Sequence, residues 1–267
     1  MKILVIGGGN MGQTYTQSFL RSHIASEENM MILEKSSEKA EQLAKLNLGT
    51  IHGSPDTCIE GADLIILAVK PQDSPQVFEQ IRGLLAKDQI VLSIMAGVTV
   101  QTLKESLGLD KIIRAMPNLP SQISHGMTVF TSTDQVSREE LVSVQNLLNT
   151  TGKTLYVSDE SLLDSATAIS GSGPAYVFYF MESMMEAAVK LGFTESQAEL
   201  LSWQTFQGTV DLFHKNDFSC REWIQRVSSR GGTTEAALKT FEDEKIKSGI
   251  IKGAVAAFDR ARELGKE

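Results

Sequence analysis

Short apolar runs alternate with amphipathic stretches through the first 159 residues. Ile3–Ile6 is a continuous run rich in β-branched residues, as a strand buried on both faces requires. Helical spacing runs from Asn10 to about residue 20, a second strand over 30–34, a capped helix over 37–46 and a short strand over 49–52. Residues 64–69 form another unbroken apolar run, stopped by Lys70-Pro71. The pattern then predicts a helix over 77–85, a strand over 90–94 and a helix over 99–107 with Gly108 as its C-cap. Strands over 111–115, 126–131 and 154–157 follow, with a helix over 137–148. Alternation with short connections predicts an α/β domain, a mostly parallel, doubly wound sheet over residues 1–159.

The pattern changes at residue 160. No strand signal appears over 161–267, and long amphipathic segments cover 162–191, Glu195–His214 and 234–264, broken at Gly192 and around Asn216. Residues 160–267 are therefore expected to form an all-helical second domain. Its first segment holds Ser170-Gly171-Ser172-Gly173-Pro174-Ala175-Tyr176, small residues and a proline that weaken a helix unless another backbone or a ligand comes close. A kink or a tight helix crossing fits the same run. Met181, Met184 and Met185 read as core or subunit interface.

Composition narrows the partners. The chain of 267 residues has a net charge of −8, which argues against nucleic acid or an anionic membrane surface. The two cysteines, Cys58 and Cys220, form no CxxC, so a reducing cytoplasm is expected. His23, His52, His125 and His214 show no metal-ligand spacing, and no metal is expected. The opening apolar run is too short for a signal peptide. No run reaches the roughly 18–20 residues that span a bilayer.

The candidate chemistry begins where the first strand ends. Gly7, Gly9 and Gly12 fit G-x-G-x-x-G. Gly7 allows the turn, Gly9 lets a pyrophosphate meet bare backbone, and Gly12 lets the helix pack close to the strand. The helix from Asn10 points its free N–H groups at that anion, and the domain reads as Rossmann-like. Glu34 lies 22 positions past Gly12, where an acid accepts hydrogen bonds from a ribose 2′-hydroxyl, as NADH requires. Lys35, Ser36 and Ser37 follow at once and suit a 2′-phosphate, so NADPH and NADH both stay open. Lys70 stands at the carboxyl end of a central strand, either facing a ligand or snorkelling to solvent. Ala96-Gly97 permits close approach of a cofactor ring, or simply turns the chain. Far along, Ser228-Ser229-Arg230-Gly231-Gly232-Thr233-Thr234-Glu235 leads straight into a helix. Such a turn can hold a small carboxylate on N–H groups, with a threonine hydroxyl beside it for a second polar atom. An N-cap behind a glycine linker is the plainer reading of that run.

Three stretches together resemble one family: GGGNMG at 7–12, SGSGPAY at 170–176 and SxGGTT at 229–234. Ala68-Val69-Lys70-Pro71 and Arg114-Ala115-Met116-Pro117-Asn118 fit it too. The chain resembles pyrroline-5-carboxylate reductase from Lys2 to about Glu263. The resemblance implies reduction of 1-pyrroline-5-carboxylate to L-proline, the last step of proline biosynthesis, with NADPH or NADH. It implies a cytoplasmic homodimer, joined through the helical domain and assembled as a decamer in some members. By position, Ile6, Gly7, Gly8, Gly9, Asn10, Met11 and Gly12 would hold the cofactor phosphates. Ser36 would meet a 2′-phosphate, beside Glu34 and Lys35, whose signals are opposite. Val69, Lys70 and Pro71, with Ala96 and Gly97, would line the nicotinamide half. Ser229, Gly231, Gly232 and Thr233 would hold the substrate carboxylate, Thr234 would hydrogen-bond the ring nitrogen as the catalytic residue, and Glu160 would also contact substrate. The family commonly has proline where this chain has Arg230, which removes a stiff residue and adds a positive charge.

Two other readings compete. A 3-hydroxyacid dehydrogenase of the 6-phosphogluconate type opens with a similar glycine loop, but its catalytic lysine follows a glycine-rich turn closely. Residues 170–186 contain no lysine, and Lys190 comes too late. A cofactor-binding regulator would need no carboxylate loop at 231–234.

Overall fold

The computed structural model describes residues 1–265. Its sheet consists of β1 (Ile3–Ile6), β2 (Met30–Leu33), β3 (Thr50–His52), β4 (Leu64–Leu67), β5 (Ile90–Ser93), β6 (Ile112–Met116), β7 (Gly126–Ser132) and β8 (Gly152–Tyr156). The order is β3-β2-β1-β4-β5-β6-β7-β8. All neighbours are parallel except β6 and β7. The direction of winding reverses between β1 and β4, the switch point beside which open α/β sheets hold ligands.

The covering helices are α1 (Asn10–Arg21), α2 (Ser37–Ala44), α3 (Ser74–Ile81), α4 (Val100–Leu107) and α5 (Arg138–Asn149). Alternate residues of β1 feed opposite cores. Ile3 and Val5 join Tyr15 and Phe19 of α1, Leu43 of α2 and Leu147 of α5. Leu4 and Ile6 join Phe78 and Ile81 of α3 and Leu103 of α4. A strand covered on both faces has no polar side to show, so it reads as an unbroken apolar run. Each such buried side chain contributes about 1.5–3 kcal/mol.

The helical part comprises α6 (Leu162–Ala166), a π turn over Thr167–Gly171, α7 (Gly173–Lys190), α8 (Glu195–His214), α9 (Cys220–Val227), α10 (Thr233–Asp243) and α11 (Ile246–Leu264). The helix expected over 234–264 is two helices, because Lys245 takes a left-handed φ of 56° between them. The one expected over 162–191 is interrupted by the π turn. The pattern left α9 unread, although Ser219 and Glu222 form a capping box at its start.

By packing, one compact unit is Met1–Ser172 together with the segment from Ala257, and the other is Gly173–Ala256. Strands end before residue 160, yet α6 stays with the sheet because Leu163 and Ala166 pack on Val129. Residues 266–267 of the expected second domain lie outside the described residues. Within the second unit α7 packs along α8, where Ala198 and Ser202 are buried. Phe178, Leu200, Val210 and Val227 are exposed, Tyr179 is 68% and Leu191 81% exposed. No helix among the described residues is long and apolar enough to cross a membrane.

Candidate active site

The glycine loop occupies the carboxyl end of β1, and each glycine answers a different demand. Gly7 has φ of 107°, and a Cβ on it would come within 2.8 Å of the Ala68 carbonyl oxygen. A Cβ on Gly12 would overlap the Gly7 carbonyl oxygen. These two are fixed by the protein's own packing. Gly9 is not: its φ is −73°, and a Cβ there would meet no protein atom within 4 Å. It is the N-cap of α1 and gives no side-chain cap, so the first N–H groups of α1 face outward over bare backbone. No acidic side chain stands in that first turn. The arrangement fits a dinucleotide pyrophosphate. Asn10 is exposed, and Met11 packs against the core beneath.

The end of β2 lies beside this loop, since Gly7 N–H donates to the Leu33 carbonyl at 3.0 Å. Glu34 is 8% exposed. Its Oε2 accepts from Gly8 N–H at 3.1 Å, and its Oε1 accepts from Ser36 N–H at 2.9 Å. Ser36 is the N-cap of α2, its Oγ accepting from Lys39 N–H at 3.4 Å. Lys35 is exposed.

On the other side of β1, the ends of β4 and β5 run on in register. Ala68 N–H donates to the Ile6 carbonyl at 2.9 Å, and Ile94 N–H to the Leu67 carbonyl at 3.1 Å. Val69 is half-buried, with Cγ1 3.0 Å from where a Gly7 Cβ would lie. Lys70 is exposed, and Pro71 begins a short turn of 3₁₀ helix. Gly97 has φ of 76°, and a Cβ on it would lie 3.1 Å from the carbonyl oxygen of Leu264. The close approach there is therefore to the end of α11. Ile6 to Gly12, Glu34 to Ser36, Val69 to Pro71 and Ala96-Gly97 thus share one edge of the sheet, around the switch point.

Glu160 is also in this unit, in an ion pair that sequence pattern did not reveal. The buried Arg114 on β6 reaches Glu160 Oε1 through Nη1 at 2.7 Å, and Asp164 Oδ1 through Nη2 at 3.6 Å. The same Oε1 accepts from Val100 N–H in the first turn of α4 at 2.8 Å. Nearby, Asn118 donates from Nδ2 to the Ser170 carbonyl at 3.1 Å and accepts Met127 N–H on Oδ1 at 2.8 Å. A Cβ on Gly171 would come within 2.8 Å of Met116 Cε. Its smallness answers that neighbour, and the π turn runs through the same residues.

The run at 229–234 belongs to the helical unit. Gly231 has φ of 70°, and its N–H donates to the carboxylate of Glu235. Gly232 is the N-cap of α10, with its N–H donating to the Ser229 carbonyl at 3.0 Å. Ser229 and Thr233 are exposed and Thr234 is half-buried in the first turn of α10. Arg230 is exposed. Burial pushes the Cys58 thiol up to about 11, with Asp56 adding to the shift, so it is no nucleophile at neutral pH. Cys220 is exposed and free. No cluster of metal-ligating side chains occurs among the described residues.

Two family models match. Residues 160–264 match the one described as pyrroline-5-carboxylate reductase dimerisation. Residues 2–97 match the one described as NADP oxidoreductase, coenzyme F420-dependent. A protein of Aquifex aeolicus named pyrroline-5-carboxylate reductase is 32% identical over 265 residues, 99% of this chain and 97% of that one. The solved structure of a pyrroline-5-carboxylate reductase from Coxiella burnetii superposes with a TM-score of 0.91 at 32% identity, covering 100% of this chain and 99% of that one. That of Plasmodium falciparum pyrroline carboxylate reductase, with NADP bound, gives a TM-score of 0.90 at 28% identity, covering 99% and 98%.

Proposed function

Because the chain belongs to the pyrroline-5-carboxylate reductase family, we propose how its own residues divide the work of that reaction. The chain is an NAD(P)H-dependent oxidoreductase that reduces 1-pyrroline-5-carboxylate to L-proline, the last step of proline biosynthesis. The observation that carries this is the likeness to named reductases along 99% of its length.

Bound at the sheet edge, the reduced nicotinamide supplies the hydride. The protein's part is mostly placement. The open N–H groups from Gly9 to Met11 hold the diphosphate, Gly7, Gly8 and Gly12 shape the turn under it, and Val69, Lys70, Pro71, Ala96 and Gly97 border the nicotinamide half. In the helical unit, the backbone at Gly231, Gly232 and Thr233, with Ser229, holds the substrate carboxylate, Gly232 by closing the turn through its own N–H to the Ser229 carbonyl. The Thr234 hydroxyl hydrogen-bonds the ring nitrogen. A protonated imine is already electrophilic, so no strong nucleophile is needed. The hydride adds to the imine carbon, the C=N π pair passes to nitrogen, and the product is a secondary amine. Binding and orienting the two reactants would be the protein's main contribution. Glu160, already tied to Arg114 and Val100, acts by fixing the start of α4 and offers its remaining lone pairs to substrate.

The chain forms a homo-oligomer. We take residues 1–159 as the cofactor domain and 160–267 as the dimerisation and substrate domain, in a homodimer that can build to a decamer. The exposed apolar side chains of α7 and α8 support pairing with a second copy. Mass measured by light scattering separates dimer from decamer. Free cysteines support a cytoplasmic location.

Purified protein mixed with 1-pyrroline-5-carboxylate and NADPH or NADH should consume the nicotinamide absorbance and yield proline in equal amount. Turnover of a hydroxyacid instead of the imine supports a dehydrogenase, and binding without turnover a regulator.

A further inference from the structure

We infer that Glu34 makes this chain select NADH over NADPH. The inference rests on the cofactor reading above and concerns the adenosine end of the dinucleotide.

Glu34 is held in place from two sides. Gly8 N–H from the glycine turn engages one carboxylate oxygen, and Ser36 N–H from the start of α2 engages the other. The side chain is buried, so it does not swing into solvent to make room. An ionised carboxylate offers about four lone-pair sites. Two are taken, which leaves acceptors for two ribose hydroxyls and nothing that a phosphate could accept from.

A 2′-phosphate meets the opposite situation. It brings only acceptors and a charge of the same sign, beside a carboxylate in a partly desolvated place where like charges repel more than in water. Two of the N–H groups at the start of α2 are already engaged, Ser36 N–H by Glu34 and Lys39 N–H by the Ser36 hydroxyl, and Glu38 adds another negative charge to that first turn. The favourable charge left to it is on Lys35 and Lys39, both exposed and screened by solvent. In sequence, Glu34 and the Lys35-Ser36 pair pull opposite ways. In the folded chain the acid is fixed and buried, whereas the lysine is free to move. The inference concerns residue 34 of this chain and not the family, since the Plasmodium falciparum relative was solved with NADP bound.

The test is binding, measured by calorimetry on the whole protein without substrate. NADH should bind more tightly than NADPH by about tenfold or more. Glu34→Gln and Glu34→Ser should each reduce that ratio, with thermal melts confirming that the variants fold. NADPH bound as tightly as NADH by the unaltered protein overturns the inference alone. A ratio unchanged in both folded variants overturns the role of Glu34. Binding of neither dinucleotide overturns the cofactor reading and the inference together.

Discussion

Gly231 donates its backbone N–H to the carboxylate of Glu235, four residues further on. Glu235 stands in the first turn of α10, where a negative charge is favoured by the helix dipole. The chain thereby places a carboxylate of its own on an N–H assigned above to the substrate carboxylate. Substrate binding then has to displace an internal competitor, exposed and weakly held. Glu235→Gln weakens that competitor, so affinity for L-proline and for the imine should rise by about threefold, with kcat little changed. Loss of the helix-end charge should lower stability by a few tenths of a kcal/mol, roughly. Calorimetric titration with proline reads the first effect and a thermal melt the second. Unchanged proline affinity would mean that the Gly231 N–H does not serve the ligand.

Thr234 follows in the same turn, half-buried, with its hydroxyl assigned to the ring nitrogen. Thr234→Ala should lower kcat/KM by about 1–3 kcal/mol, since the nitrogen loses its partner as its charge disappears. Thr234→Ser keeps the hydroxyl and should recover most of that loss. Steady-state kinetics on the three proteins decides it, and equal loss in both variants would point to packing by the methyl group instead.

Much of the first unit was legible because its local and global demands agree. The apolar run Ile3–Ile6 and the three glycines after it report a strand covered on both faces and a turn at its end. Other features depend on partners remote in sequence. Glu34 meets Gly8 across 26 positions and Arg114 meets Glu160 across 46, and no periodicity records either pair. Gly97 was readable as a small residue near a cofactor, but its neighbour is Leu264. In the helical unit the boundary signals were weaker. Lys245 carries a left-handed conformation that glycine usually signals, so the break before α11 left no mark. The start of α9 did leave one, in Ser219 and Glu222, within a stretch too short to show a clear stripe.

Arg114 and Glu160 separate a structural role from a substrate role. Removing a buried arginine leaves the Glu160 and Asp164 carboxylates without it. Arg114→Met should therefore cost about 2–4 kcal/mol, below the full figure for a buried pair because Glu160 is about a third exposed. Glu160→Gln keeps an acceptor for Val100 N–H and should cost about 1 kcal/mol. Denaturant unfolding gives both values. If Glu160 also meets substrate, its variant should raise KM in addition; stability loss with unaltered KM assigns it to the scaffold alone.

The glycine loop offers the sharpest separation between what the fold needs and what the cofactor needs. A methyl group on Gly12 would overlap the Gly7 carbonyl, so Gly12→Ala must push α1 away from β1 and should unfold or strongly destabilise the protein. Gly9 is different, for a methyl there meets no protein atom and its φ of −73° suits alanine. At an N-cap the loss from replacing glycine and the gain from a stiffer unfolded chain nearly offset, leaving stability within about 1 kcal/mol. Gly9→Ala should therefore melt close to the unaltered protein yet bind NADH and NADPH both more weakly, by about tenfold or more if the diphosphate lies against that backbone. Melting curves and calorimetric binding on the same preparations check the pair. A Gly9→Ala protein that binds both dinucleotides as well as before would remove the diphosphate from this turn, whatever the fate of Gly12→Ala.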